Sequence, residues 1–153
     1  MINADEKTTY PHYVRNAVAL ALDNAFFATG VNFISTTTVL LTFLATLISN
    51  EVLIGVAAGV LNTAWLLPQL VAASLAARQR RMKPMVLTCA WSTRPVLLPL
   101  AFIVWLFAAD HPGLVFVATV LAVFIFFAGD AFTSVPWFSM MARVLPPRRR
   151  GRV

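Results

Sequence analysis

Long apolar runs separated by short polar breaks set the pattern of this chain. The runs cover about 17–48, 52–77, 85–108 and 114–141. Each reaches or exceeds the roughly 20 apolar residues that carry a helix across a bilayer. The breaks are short: SNE at 49–51, RQRRMKP at 78–84 and DHPG at 110–113. This punctuation predicts an all-α membrane protein, a bundle of four transmembrane helices. A segment at 1–16 precedes it and a basic segment at 142–153 follows it. The first run is longer than a crossing needs, which predicts a tilt or a bend near Gly30. Pro68 removes one helical hydrogen bond and predicts a kink in the second span. Pro136 predicts irregular or interfacial last turns in the fourth.

Composition agrees with that pattern. The chain is 59% hydrophobic and 12% charged, where a soluble domain is about a quarter charged. Its mean hydropathy is +0.79. Cys89 stands alone, which leaves no internal disulfide and no metal-site spacing. The N-terminus carries Asp5 and Glu6 and lacks the compact apolar region of a cleavable signal.

The positive charges sort by loop. Lys7 and Arg15 precede the first run. Arg78, Arg80, Arg81 and Lys83 form a basic loop between the second and third. Arg143, Arg148, Arg149, Arg150 and Arg152 follow the fourth. If four helices cross, all of these lie on one side. Basic loops stay cytoplasmic, so the expectation is an inner-membrane protein with both termini in the cytoplasm. A net charge of +6 does not point to nucleic acid. The basic residues flank membrane helices, where orientation and contact with anionic lipid account for them.

Three ionisable residues fall inside runs: Asp23, Arg94 and Asp130. A charge at the centre of a bilayer costs about 2.5–3.5 kcal/mol on insertion scales, so each should face protein or water. At a rise of about 1.5 Å per residue, Asp23 lies roughly 9 Å from the cytoplasmic end of its span. Arg94 and Asp130 lie roughly 15 Å in. All three belong to one layer of the cytoplasmic half. Arg94 and Asp130 form a candidate intramembrane ion pair, either static glue between helices or part of a water-filled pathway. Asp23, Asn24, Asn32 and Asp130 are candidate pathway residues for a substrate or a proton. The first span is the most polar, with Thr29, Ser35 and Thr36, Thr37 and Thr38 besides the two asparagines.

The second span carries a different signal. Gly55, Gly59, Asn62, Leu66, Gln69 and Ala73 share one face at 100° per residue. The Gly55–Gly59 spacing allows close helix approach, and Asn62 and Gln69 can hydrogen-bond across it. With Pro68, this face is a candidate for internal packing, homodimer contact or a moving gate. No metal cluster, no nucleophile with a base and no phosphate-binding glycine loop is present, so neither an enzyme nor a cofactor is expected. His12 and His111 lie in different loops, on opposite sides of a four-span bundle.

The chain resembles the N-terminal portion of a bacterial major facilitator superfamily transporter. The likeness rests on RNAVALALDNAFFATGVNF leading to LLTFLATLISNEVLIG, then on WLLPQLVAA, the basic loop AARQRRMKP and the closing LPPRRRGRV. The basic loop departs from the family pattern. With the family's first Arg placed on Arg78, Ala73 and Ala77 stand where Gly and Asp are usual. Arg80 replaces a second Gly, Arg81 matches, and Met82 stands one place before the basic Lys83. The resemblance implies a secondary transporter of a small solute or drug-like compound, working by alternating access. It implies further C-terminal helices, since the family has twelve spans in two halves. It also implies that Asp23 and Asp130 line the pathway while Arg94 supports it. The alternative expectation is a self-contained four-helix membrane protein that dimerises for transport, or that binds a partner protein or lipid.

Overall fold

The computed structural model describes residues 12–79 and 81–146, and every element among them is a helix. Arg80, Lys7 and the arginines beyond Pro146 lie outside the described residues, as do Tyr10 and most of the segments at 1–16 and 142–153. The helices are α1 (Tyr13–Phe33), α2 (Val39–Leu47), α3 (Glu51–Thr63), α4 (Leu66–Arg78), α5 (Met82–Thr93), α6 (Leu97–Phe107) and α7 (Pro112–Val144). A 3-10 turn, Arg94–Val96, joins α5 to α6.

Three helical stretches are long and apolar enough to cross a membrane: Glu51–Arg78, Met82–Phe107 and Pro112–Val144. This differs from the expected four. The first run does not form one helix from 17 to 48. It stops at Phe33 and resumes at Val39, and it is unbroken at Gly30. The cause is local. Ser35 is followed by three threonines, whose hydroxyls compete for backbone groups and whose branching crowds a helix. The Ser35 and Thr38 hydroxyls pair at 2.8 Å, and the Ser35 carbonyl accepts from the Leu40 N–H at 3.0 Å. So Ser35 and the three threonines belong to a turn and not to a transmembrane face. What remains, α1, carries Arg15, Asn16, Asp23, Asn24 and Asn32, too polar a set to count as an apolar crossing by itself.

The other breaks also have chemical causes. Asn50 caps α3 by accepting the Leu53 N–H on its side chain at 3.2 Å, with Glu51 in the first turn. Both favour a helix start. The second span is interrupted at Ala64 and Trp65, one turn before Pro68, whose missing N–H would have bonded the Ala64 carbonyl. The third begins at Met82, three residues earlier than expected, with Pro84 tolerated in the first turn. Pro95 lies in its 3-10 turn and Pro99 in the first turn of α6, where its missing N–H would have bonded the Pro95 carbonyl. The fourth begins with Pro112 at its first position, where the lost N–H has no helical partner in any case. It then runs through Pro136 to Val144, so the expected irregularity near Pro136 is absent. That proline is fully buried within the bundle; neighbouring helices commonly stabilise a proline inside a membrane helix.

α7 is the axis of the fold. Its 33 residues extend about 50 Å. It packs most extensively on α5, then on α4 and α6, and least on α1. Its buried positions, from Val115 to Pro136, recur largely at three- and four-residue steps, the signature of one helical face turned inward. Near its start, Val123 packs with Leu40 and Leu44 of α2 and with Ala57 and Leu61 of α3 in a wholly apolar cluster. Near its middle, Gly129 meets α5 so closely that a Cβ there would overlap the Thr93 side chain.

Candidate functional site

The second half of α7 lies against a cavity of about 370 Å³. Asp23, Asn24 and Phe27 of α1 form one side of it. Trp91 of α5 and Arg94, at the 3-10 turn, form another. Trp65 enters from the break in the second span. Asp130, Thr133, Ser134, Trp137 and Phe138 of α7 complete it. Proline chemistry helps position two of these groups, because both helix interruptions, at Trp65 and at Arg94, open towards the cavity.

Specific contacts order the walls. The Trp137 Nε1–H donates to the Asp23 carboxylate at 2.9 Å, a side-chain hydrogen bond linking α1 to α7. The Arg94 guanidinium sits 5.0 Å from the centre of the Phe27 ring, within range of cation–π attraction. Phe27 in turn stacks on Phe126 at 6.2 Å. Trp65, Arg94 and Asp23 line the cavity together with Asp130. No direct ion pair joins Arg94 to Asp130 among the described residues. The expected bridge is replaced by two charges sharing one cavity, with Arg94 drawn to an aromatic face. The Thr133 and Ser134 hydroxyls are bonded to carbonyls of their own helix at 2.8 Å and 3.0 Å.

Of the residues singled out in the sequence, Asp23, Asn24, Arg94 and Asp130 come together here. Asn32 does not. Its amide returns to the Ala28 carbonyl of its own helix at 2.8 Å. Asn62 behaves the same way towards Ala58, also at 2.8 Å, and does not bridge helices. A Cβ at Gly55 or Gly59 would meet open space, so neither glycine serves packing among the described residues. Pro68 and Gln69 are half-buried outside the cavity, while Arg78, Arg81 and Lys83 are exposed at one end of the bundle. The aromatic walls were not anticipated. Trp65, Trp91 and Trp137 lie on three different spans, and in sequence they look like ordinary lipid-facing or interfacial residues. The one available signal was Trp137 at seven residues from Asp130, two turns along the same face.

The site is therefore a partly aromatic cavity among membrane-type helices, with two carboxylates, one guanidinium and two hydroxyls. Among the described residues no group of His, Cys, Asp or Glu is arranged to hold a metal ion. No protein family, curated protein or solved structure matches the chain. Fold and site together define an all-helical chain with three helices able to cross a membrane.

Proposed function

We propose that this chain is the N-terminal part of a secondary active transporter of the major facilitator type, moving a small organic solute or drug-like compound by alternating access. In this reading α1 and α2 together make a fourth crossing. Both ends of the bundle then lie on the cytoplasmic side of the inner membrane, and further helices of the same transporter complete the pathway. The observation that carries the reading is the cavity bearing Asp23, Asp130 and Arg94. Charges at membrane depth are expensive, and they are retained where they bind a solute or pass a proton. The aromatic faces supply apolar contact for the solute and the carboxylates a charged anchor. The decisive experiment is uptake or efflux by the full-length transporter in liposomes. Asp23→Asn combined with Asp130→Asn should abolish transport while leaving helix content unchanged. Full activity in that double variant would refute the assignment.

A second reading is favoured by the open face at Gly55 and Gly59. There the chain is a self-contained membrane protein that pairs with a second copy through this glycine face. Gly55→Leu would then dissociate a discrete dimer in detergent, an effect the transporter reading does not require.

A further inference from the structure

A second cavity, of about 550 Å³, opens at the basic end of the bundle. We propose that it is a binding site for the phosphate headgroup of an anionic phospholipid. Arg81, just before α5, Lys83, in the first turn of α5, and Arg143, in the last turn of α7, converge on it. Among the described residues, no acidic side chain lines it. Three like charges held together by two antiparallel helix ends repel one another unless an anion lies between them. All three are exposed, so an arriving headgroup reaches them without rearrangement of the bundle.

The rest of the lining decides between a lipid and a free phosphate. Met82, Leu87, Met140 and Val144 make up the walls beside the charges. A soluble phosphate has no use for such a surface, whereas acyl chains do. The position fits as well, because α5 and α7 both belong to helices able to cross a membrane and the charges sit at their ends. Basic pockets between membrane helices at such depths suit anionic headgroups. Leu87 also lines the aromatic cavity, so a lipid seated here would lie against the wall of that site. The assignment stands whether or not the chain carries a solute.

The test uses the full chain in a neutral detergent, with bound lipid read by native mass spectrometry. Phosphatidylglycerol and phosphatidylcholine are offered at equal concentration, with inorganic phosphate as a competitor. Phosphatidylglycerol should be retained over phosphatidylcholine by roughly tenfold, and millimolar phosphate should not displace it. Each cation near an anionic surface contributes about 1 kcal/mol, or roughly fivefold. Lys83→Gln with Arg143→Gln should therefore weaken phosphatidylglycerol binding about 25-fold. Arg15→Gln, which removes a charge away from the cavity, should change it less than twofold. Circular dichroism verifies that each variant remains helical. Equal retention of the two lipids, or an equal loss in the Arg15 variant, would overturn the proposal. Displacement by inorganic phosphate would overturn the lipid assignment in favour of a soluble anion.

Discussion

The two halves of α7 face different solvents. In its first half Val123, Phe116 and Val120 pack in the cluster of Leu40 and Leu44 of α2 and Ala57 and Leu61 of α3, and the Thr119 hydroxyl is buried without a hydrogen-bond partner among the described residues. From Asp130 to Phe138 the same helix presents a carboxylate, two hydroxyls and two aromatic rings to a cavity shared with α1 and α5. One continuous helix thus contributes both to an apolar core and to the polar wall of a cavity. Packing continues through the second half, at Phe126, Gly129, Ala131, Thr133 and Pro136, where the helix also lines the cavity.

Three perturbations sharpen this contrast. The largest effect is expected in the dry half. Leu44 is fully buried there, and Leu44→Ala should cost about 2–5 kcal/mol, the usual range for emptying a core leucine. Leu87→Ala, at a half-exposed position near the cavity, should stay within about 0.5 kcal/mol. Reversible unfolding in detergent measures both. Similar losses at the two sites would break the contrast.

A smaller effect is expected at the boundary between the halves. Gly129→Ala would drive a methyl group into Thr93 and should destabilise the α5–α7 contact by about 1–3 kcal/mol, as overpacking does. Gly59→Ala meets nothing and should be neutral or stabilising by up to about 1 kcal/mol, through helix propensity. The same unfolding assay separates the two.

The smallest effect is the link between α1 and α7. A double-mutant cycle of Asp23→Ala and Trp137→Phe should give a coupling near 0.6 kcal/mol, about the average for hydrogen bonds between membrane helices. A coupling of zero would mean that the bond does not hold in the bilayer and that α1 is positioned by other contacts.

Much of this was legible in the chain and some was not, for physical reasons. Runs of apolar residues read directly as crossing helices at Glu51–Arg78, Met82–Phe107 and Pro112–Val144, because length and hydropathy are local properties. Counting residues from a loop also placed Asp23, Arg94 and Asp130 at similar depth, since helical rise is nearly constant. The break at Ser35 to Thr38 was missed because threonine is compatible with a membrane helix when isolated, and it was the succession of three that ended this one. The close approach within the chain falls at Gly129, where no spacing motif marks it, whereas Gly55 and Gly59 face open space. A motif marks where helices can approach, whereas only the fold decides where they do. The tryptophan walls were invisible for a similar reason. Trp65 is positioned by a break one turn before Pro68, and Trp91 and Trp137 come to one cavity from different helices, α5 and α7.

The most direct measurement of the central claim is water access along α7. With Cys89 replaced by Ala, Ser134→Cys and Thr119→Cys report on the two halves in turn, through labelling by a small water-soluble thiol reagent in bilayers. The account predicts rapid labelling at position 134, suppressed by bulky occupants of the cavity, and protection at position 119. Equal protection at both positions, or labelling at 119 alone, would contradict it.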